Sequence, residues 1–320
     1  MQTIVTDSPE EAAGYLNAGG IVAFPTETVY GLGAGICHPE AVKKIFRAKG
    51  RPADNPLIVH IPKPEDIDTV AREIGEAARK LIRHFFPGPL TLVLKKSGMV
   101  PPEVTAGLDT VGIRCPSSII AKSFLGFCHC PVAAPSANIS GRPSSTSWKA
   151  VLYDLEGKID CILKGDPSDI GLESTIVDCT GAQPLLLRTG AVTIEELQSV
   201  VPEIGTAVIS SNDDEPPKSP GLKYPHYAPV ARIRLCATDG PFAPEADTSS
   251  AWIGLTQPHA SAAFAIVRQC GTTGEYARIL FDFFRQCDAL GIDTIYCELP
   301  PDEGIGRAIR DRLTRAAAGR

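Results

Sequence analysis

Two polar clusters in the first half of the chain hold the residue types that bind phosphate. The first, Lys49–Pro56, offers two cations and a carboxamide, and the second, Pro135–Arg142, offers hydroxyls, another carboxamide and a third cation. Both are punctuated by Pro and Gly, which mark turns where side chains and backbone N–H groups converge on ligands. An Arg guanidinium can donate two parallel hydrogen bonds to phosphate oxygens, and a Lys ammonium acts as a point charge. The clusters therefore predict a pocket for an anionic, phosphate-bearing substrate.

Further candidates lie at the ends of predicted strands. Arg114 lies in a strand-like run, where it forms either an internal ion pair or a contact with a substrate carboxylate. Ser174 precedes a strand, and Arg188 ends another. His60 also ends a strand, and its spacing leaves a structural and a catalytic role equally open. Since open α/β sheets bind ligands at strand ends, these residues are candidates for the same site.

Several motifs with known chemistry are absent from the sequence. Gly31-x-Gly33-x-Gly35 lacks the dinucleotide-binding spacing, because Ile36 stands where the third glycine is needed. The segment Pro25–Gly33 follows a predicted strand and is dense in hydroxyls, and its structural interpretation is a tight glycine turn. Walker A, G-x-S-x-G and H-E-x-x-H sequences are missing as well. The chemistry is therefore expected to rely on positioning and electrostatic stabilisation, as in nucleotidyl transfer.

The apolar spacing predicts the elements that hold this pocket. In the first part of the chain, strands are predicted at Gly20–Pro25, Leu57–Ile61, Leu90–Lys95, Thr110–Cys115, Val132–Ala134, Cys161–Leu163, Thr175–Asp178 and Leu185–Arg188. Helices are predicted at Pro39–Ala48, Pro64–Phe85, Ile119–Phe127 and Thr193–Val200. A second, smaller α/β pattern has strands at Arg232–Cys236, Ala251–Gly254 and Thr294–Glu298 and helices at Glu275–Leu290 and Gly304–Ala318.

A linker separates these two patterns. It is rich in Pro, Ser and charge and has no periodicity. We therefore predict a catalytic domain over residues 7–200, a linker over 201–231 and a C-terminal domain over 232–320. Tyr224, His226 and Tyr227 either pin the linker to a domain surface or let it close over a ligand as a lid.

Composition restricts the functional classes. The chain has 31 Lys and Arg against 37 Asp and Glu, a net charge of −6, which weakens nucleic-acid binding as the primary role. No apolar run approaches the ~20 residues that cross a bilayer, and no signal peptide is visible, so a cytoplasmic protein without membrane contact is expected. The ten cysteines, including Cys128 and Cys130, lack zinc or C-x-x-C spacing and are predicted to be reduced structural thiols.

Taken in order, five segments resemble the Sua5/YrdC/YciO family in its two-domain, Sua5-type form. They are Pro25–Leu32, Lys49–His60, Pro135–Gly141, Glu173–Asp178 and Ser219–Pro229. The resemblance covers essentially the whole chain. It implies an α/β fold with a YrdC-type twisted mixed sheet and a concave cleft, followed by a small Rossmann-like C-terminal domain.

The resemblance also implies a reaction. L-threonine, bicarbonate (or CO2) and ATP would give threonylcarbamoyl-AMP and pyrophosphate, for formation of N6-threonylcarbamoyladenosine at position 37 of ANN-decoding tRNAs. Mg²⁺ would enter with ATP, held mainly by the phosphates rather than by protein ligands. The implied partners are the tRNA threonylcarbamoyl-transfer machinery downstream and a weak contact with RNA.

Roles for individual residues follow from the same resemblance. L-threonine would be held by Thr28, His60, Arg114, Ala134 and Ser174, with the Arg114 guanidinium on its carboxylate. ATP would be contacted by Arg51, Asn55, Thr110, Ser136, Ser144, Arg188 and Tyr224. The catalytic group would be Lys49, Arg51, Ser136 and Asn138. Here Lys49 would stabilise charge during transfer, and Asn138 would orient the Ser136 loop. Ser145, Thr189 and Pro225 depart from the common family pattern on the ATP side.

Two other functions compete with this interpretation. A double-stranded-RNA-binding module would show a tight, steeply salt-dependent complex, which the acidic balance of the chain disfavours. Carbamoyl transfer to a different amine, as in hydrogenase-maturation relatives, is disfavoured because the companion zinc-finger and acylphosphatase segments are missing.

Overall fold

The computed structural model describes residues 2–207, 226–237, 249–258 and 263–319. Tyr224, predicted to contact ATP, and Pro225 lie outside the described residues. The strands, numbered in chain order, are β1 (Ile4–Thr6), β2 (Val22–Phe24), β3 (Gly31–Gly35), β4 (Ile58–His60), β5 (Ala71–Arg72), β6 (Leu90–Lys96), β7 (Thr110–Arg114), β8 (Val132–Ala134), β9 (Cys161–Leu163), β10 (Thr175–Asp178), β11 (Leu185–Arg188), β12 (Gly205–Thr206), β13 (Arg232–Cys236), β14 (Ser250–Gly254), β15 (Ile266–Gln269) and β16 (Thr294–Glu298).

Helices cover both sheets, and one 3₁₀ turn, Pro64–Asp66, precedes the third helix. The α-helices are α1 (Pro9–Asn17), α2 (Pro39–Lys49), α3 (Ile67–Val70), α4 (Glu76–Phe85), α5 (Pro102–Thr105), α6 (Ile119–Phe127), α7 (Trp148–Leu155), α8 (Ile194–Val200), α9 (Thr273–Ala289) and α10 (Ile305–Ala318).

A large mixed sheet forms the first part of the molecule. Within the described residues its strand order is β1-β9-β2-β3-β8-β4-β7-β6-β10-β11-β12, with β5 paired to β6. Strand β4 runs parallel to β7 and antiparallel to β8, and this register places His60 beside Arg114. The predicted α/β class with a twisted mixed sheet is confirmed.

The glycine-rich segment after β2 is a strand and not a tight turn. Strand β3 pairs antiparallel with β2 on one side and with β8 on the other. A Cβ atom at Gly33 would lie 2.6 Å from Cγ1 of Val132 and 3.0 Å from the Phe24 ring. These glycines are therefore required because neighbouring side chains pack directly against the backbone.

The prediction of one long helix over Pro64–Phe85 is wrong. After the 3₁₀ turn and the short α3, residues Ala71 and Arg72 leave the helix to pair with Lys96 and Lys95 of β6. Glu73 then takes a left-handed conformation with φ 56°, and Gly75 caps the start of α4. Sheet pairing outweighs helix propensity here, because β6 would otherwise leave backbone groups unpaired along this edge.

Helices α1 and α7 were not predicted, although the sequence contains their capping signals. The Ser8 side chain accepts a hydrogen bond from the Glu11 backbone at the start of α1, and Ser147 does the same at α7. A Ser followed by helix-forming residues is the usual N-cap pattern. The helices were therefore readable from capping, but not from apolar spacing.

A small parallel sheet forms the second part. Its order is β13-β16-β14-β15, and every pair is parallel, as expected of a Rossmann-like unit. Helices α9 and α10 supply most of its buried aromatic and aliphatic side chains. The same core includes Val29 and Leu172 from the first part of the chain, so the two parts share packed apolar surface.

The cysteines are not all reduced thiols, which corrects the prediction. Cys37 and Cys130 form a disulfide, with their Cα atoms 6.3 Å apart, and the other eight are free. Gly35 pairs with Val132 in the antiparallel β3–β8 ladder. Cys37, two residues after Gly35, therefore lies opposite Cys130, two residues before Val132. The pairing depends on strand register, and local C-x-C spacing cannot indicate it.

None of the helices among the described residues is both long enough and apolar enough to span a bilayer.

Candidate functional site

One cavity gathers most of the predicted site residues. Its lining includes Thr28, Lys49, Arg51, His60, Arg114, Ala134, Ser136, Asn138, Ser174 and Arg188. These residues come from strands, loops and the end of helix α2, and they are spread over about 160 positions of chain, counted from Thr28 to Arg188. The predicted convergence of the two polar clusters in a shared cavity is therefore present.

Lys49 joins the two clusters directly. The helix α2 ends here because Gly50 takes the left-handed conformation with φ 62°. The Lys49 Nζ donates to the backbone oxygen of Ser136 at 2.5 Å and to that of Asn138. Burial, followed by the charge of Arg51, lowers the pKa of Lys49 well below its usual value. An anionic ligand would restore the charged form, because a nearby negative charge favours it.

Asn138 fixes the loop that carries Ser136. Its Oδ1 accepts from the Ser136 hydroxyl at 2.5 Å, while its Nδ2 donates to the backbone oxygens of Ile139 and Arg142 at 2.8 and 3.0 Å. All three contacts are internal to the loop. These contacts are compatible with the orienting role that the family resemblance implies for Asn138, which stays a prediction.

Arg51 is held by its own loop. Its Nε donates to the Asn55 backbone oxygen at 3.2 Å, and its Nη2 donates to that of Pro56 at 2.9 Å. The Asn55 side chain is buried, and its Oδ1 has no hydrogen-bond partner among the described residues. The loop is therefore preorganised, with an amide oxygen still to be satisfied.

Arg114 forms the internal ion pair that was one of its two interpretations. Its Nη2 donates to Glu27 Oε1 at 2.7 Å, and its Nη1 donates to the Thr28 hydroxyl at 2.7 Å. Burial would raise the pKa of Glu27, but the charge of Arg114 and its hydrogen bond outweigh this and lower it. Glu27 was not singled out as a site residue, and its place between hydroxyls in Pro25–Leu32 was the available signal. The expected contact of Arg114 with a threonine carboxylate stays a prediction.

His60 is a buried, neutral imidazole. Its Nδ1 donates to the Ile58 backbone oxygen at 3.1 Å, since a carbonyl can only accept, and its ring meets Phe24 edge-on. Burial, and then the positive charge of Arg114, lowers the pKa of His60 to about 3. At neutral pH the single N–H of this ring is donated to Ile58, so its other nitrogen can only accept a hydrogen bond, and the group is too weakly basic to serve as an efficient general base.

Ser174 and Arg188 form a third group in the cavity wall. Arg188 donates from Nε to the Ser174 backbone oxygen at 3.0 Å and from Nη2 to its hydroxyl at 3.2 Å. The Ser174 hydroxyl also lies 2.7 Å from that of Thr91 on β6. This arrangement links a predicted threonine contact to a predicted ATP contact.

Three predicted ATP contacts among the described residues, Asn55, Thr110 and Ser144, do not reach the lining. Thr110 starts β7, whereas Arg114 ends it, so at ~3.3 Å per residue the two lie about 13 Å apart. Ser144 is buried behind the wall and donates its hydroxyl to Glu173. Glu173 itself lines the cavity. It begins the segment Glu173–Asp178, but no role was predicted for it.

The end of the linker forms part of the cavity wall. His226 and Tyr227 both line the cavity. Tyr227 also stacks on Phe281 of α9, with ring centroids 5.3 Å apart, so it is pinned to the C-terminal domain as well. His226 Nε2 is buried without a hydrogen-bond partner in the described parts of the chain. Burial, then the charge of Arg51, lowers the pKa of His226 to about 3.

Comparison with known families accounts for nearly the whole chain. The model of the Sua5–YciO–YrdC family, described as telomere recombination, matches residues 14–190. A second model, described as the C-terminal domain of threonylcarbamoyl-AMP synthase, matches residues 192–318.

Individual relatives match over similar lengths. A threonylcarbamoyl-AMP synthase from Pyrococcus abyssi is 44% identical over 97% of this chain and 94% of its own length. One from Bacillus subtilis is 41% identical over 98% of this chain and 95% of its own. The crystal structure of P. abyssi Sua5 complexed with L-threonine superposes with a TM-score of 0.88 at 40% identity, covering 99% of this chain and 97% of that one.

Proposed function

The chain belongs to the Sua5–YciO–YrdC family of threonylcarbamoyl-AMP synthases, and from this premise we propose that its cavity makes threonylcarbamoyl-AMP from L-threonine, bicarbonate or CO2, and ATP. The threonine amine adds to CO2 with loss of a proton, or to bicarbonate with loss of water, and either route gives a carbamate. A carbamate oxygen then attacks the α-phosphorus of ATP, and pyrophosphate leaves. Both relatives named above carry this activity in their names, and the solved neighbour binds L-threonine.

One observation carries this proposal. The Lys49 Nζ bonds to the backbone of the Ser136 loop, so the two polar clusters form a single wall. Arg51 and Arg188 line the same cavity. Fixed cations in a largely buried site stabilise the charge that develops on a transferring phosphoryl group more strongly than they would in water.

The chain's own residues divide into two working groups. Thr28, Arg114 and Ser174 offer hydroxyls and a guanidinium for the amino acid, with His60 as a neutral hydrogen-bonding neighbour. On the other side, Lys49 and Arg51 face the nucleotide phosphates. Because the side chains are already held by internal hydrogen bonds, little reorganisation is needed when the substrates bind.

Magnesium is proposed to arrive with ATP. Among the described residues, no cluster of three or more His, Cys, Asp or Glu side chains could hold a metal ion. The carboxylates at the site, Glu27 and Glu173, are engaged by arginines. These residues do not fit a protein-built magnesium site, and coordination by the phosphates is the arrangement compatible with them.

Partners and location follow from the proposed product. A mixed anhydride of a carbamate and a phosphate is reactive, so a downstream tRNA threonylcarbamoyl-transfer machinery should consume it. A weak contact with RNA and a cytoplasmic location accompany this proposal. RNA binding would be measured by titration at several salt concentrations, since phosphate contacts give a steep salt dependence.

The direct test is pyrophosphate release by the purified full-length chain. With ATP, Mg²⁺ and bicarbonate present, release should require L-threonine and should be far slower with L-valine. Valine has a similar shape but lacks the hydroxyl, and a site built to bind a hydroxyl rejects such an analogue strongly. Depleting bicarbonate should also stop release. Release that is independent of threonine would contradict the proposed function.

A further inference from the structure

The last helix of the chain places a fully buried arginine behind the cavity. Arg312 of α10 has an exposed fraction of 0%. Its Nε donates to Glu173 Oε2 at 2.9 Å, its Nη1 donates to Asp311 at 2.7 Å, and its guanidinium lies 5.5 Å from the Tyr227 ring centroid. Arginine stays charged at any working pH and is rarely buried unless it is paired. Its burial therefore depends on these partners.

Glu173 connects this arginine to the cavity. Glu173 lines the cavity, whereas Arg312 does not. One carboxylate oxygen accepts from Arg312, and the other accepts from the Ser144 hydroxyl. The carboxylate is thus held between the C-terminal domain and a loop of the catalytic domain. Its chain neighbour, Ser174, in turn bonds to Arg188.

The charge balance of the wall depends on this contact. Burial would raise the pKa of Glu173, but Arg312 and Arg188 outweigh it and keep the group ionised. Without Arg312, the ionised carboxylate would stand among Lys49, Arg51 and Arg188 in the cavity lining. It would repel an incoming triphosphate and draw Arg188 toward itself, because charges interact strongly in a buried site.

A further detail indicates that stability alone does not explain the buried arginine. The Nη2 of Arg312 is buried and has no hydrogen-bond partner within the described residues. Leaving such a donor unsatisfied is unfavourable. Buried donors without a partner are commonly found at functional sites, where the arrangement serves function at a cost in stability.

We propose that Arg312 is a positioning residue for ATP, supplied by the C-terminal domain: by neutralising Glu173 from behind, it keeps the cavity positive for the triphosphate. This inference rests on the proposed function, since it assumes that the cavity binds ATP. It gives α10 a part in the nucleotide site, although Arg312 does not line the cavity.

The test compares variants of the full-length chain by ATP titration calorimetry and by substrate kinetics. Arg312→Ala should weaken ATP binding and raise the KM for ATP by about 10- to 100-fold, the effect of losing one charge-assisted contact. The KM for L-threonine should change much less. Arg312→Lys keeps the charge and should recover most of the ATP affinity.

A double variant separates charge balance from packing. Adding Glu173→Gln to Arg312→Ala removes the uncompensated carboxylate and should restore ATP affinity toward the wild-type value. If Arg312 only holds the fold together, the double variant should recover the free energy of unfolding, whereas the KM for ATP of the folded Arg312→Ala enzyme should already equal the wild-type value. Where Arg312→Ala alone does not fold, Arg312→Lys and the double variant still decide the question.

The matched control is Arg307→Ala. Arg307 lies on the same helix and pairs across the domains with Glu195, at a more exposed position outside the cavity lining. This variant should leave ATP affinity unchanged. Equal losses in the Arg307 and Arg312 variants, or no recovery in the double variant, would overturn the inference.

The two proposals can fail separately. Threonine-dependent pyrophosphate release by the wild-type chain tests the reaction, whereas ATP titration tests the arrangement around Arg312. Wild-type activity with an unaffected Arg312→Ala variant refutes only the inference. Arg312-dependent ATP binding without threonine-dependent release refutes only the reaction.

Discussion

At the scale of single residues, burial determines what each charged group of the cavity can do. Lys49 is 1% exposed and donates hydrogen bonds to the backbone oxygens of Ser136 and Asn138, while Arg114 and Glu27 neutralise each other. Groups removed from water keep their charge only when partners stabilise it. Lys49 is therefore the cation most responsive to an arriving anion.

Replacing Lys49 tests this role. Lys49→Met keeps the length and burial of the side chain but removes its charge, so the rate of threonine-dependent pyrophosphate release should fall by about 100-fold or more. Lys43→Met is the control, because Lys43 lies on the same helix at the surface, paired with Glu40. A Lys49→Met enzyme with the wild-type rate would remove Lys49 from the mechanism.

The buried imidazole of His60 predicts a pH dependence of stability. The folded pKa is about 3, against 6.5 for an unperturbed histidine, so the unfolded chain binds a proton first as the pH falls. The free energy of unfolding is therefore highest above pH 6.5 and decreases toward pH 3, by about 1.4 kcal/mol per pH unit for this one group.

Denaturant unfolding of the wild type and of His60→Gln between pH 4.5 and 6.5 would measure this effect, because the lowered pKa values of Glu27 and Glu173 place their contributions at lower pH. His226, whose pKa is also lowered to about 3, adds a similar slope to both profiles, so the contribution of His60 is the difference between them. His60→Gln should flatten the profile by about the same slope. His84→Gln, at an exposed position of α4, controls for the loss of an imidazole. An unchanged slope in His60→Gln would contradict the assignment of a neutral buried histidine.

At the scale of elements, close packing around β3 shapes the wall of the cavity. Gly31 of β3 forms a bridge to Ser136, so the strand carries the loop that holds the catalytic candidates. Phe24 and Val132 fill the space that side chains on β3 would need. Because these side chains pack directly against the glycine backbone, they fix the position of β3.

Two glycine substitutions should act in opposite directions. Gly33→Ala should lower the free energy of unfolding by about 1–3 kcal/mol, since its Cβ would lie 2.6 Å from Val132. Gly14→Ala, inside α1 with no atom within 4 Å of the new Cβ, should be neutral or stabilising by up to about 1 kcal/mol. Chemical denaturation of both variants checks the contrast. Equal effects would mean that β3 can shift without cost.

At the scale of the whole molecule, distant parts of the chain are tied together around the site. The Cys37–Cys130 bond spans 93 positions, and the C-terminal domain contacts the catalytic domain through Arg312–Glu173 and Arg285–Asp154. Cross-links and buried ion pairs between distant segments restrict how these segments can move relative to one another. The site is therefore a property of both domains.

Thiol counting tests the cross-link. Under denaturing, non-reducing conditions, eight of the ten cysteines should titrate, and all ten should titrate after reduction. The Cys37→Ser variant should unfold about 2–4 kcal/mol more easily than the oxidised wild type. Ten titratable thiols in the unreduced protein would contradict the disulfide.

How far the sequence predicted the fold depended on the kind of signal. Strands such as Val132–Ala134 and Thr175–Asp178 were predicted with correct bounds, because short apolar runs between turn residues define them locally. The helix over Pro64–Phe85 failed because β5 pairs with a strand that is distant in sequence. Similarly, Gly31–Gly35 forms a strand because it pairs with β2 on one side and with β8 on the other, and both strands are set by tertiary structure.

By itself, the sequence determined which residue types are available for chemistry, since the polar clusters at Lys49–Pro56 and Pro135–Arg142 are local in the chain. Only the tertiary structure decided their partners: Glu27 for Arg114, Glu173 for Arg312, and Cys37 for Cys130. The physical reason is that pairing energies depend on distance and burial. Both are set by strand register and domain packing between segments that lie far apart along the chain.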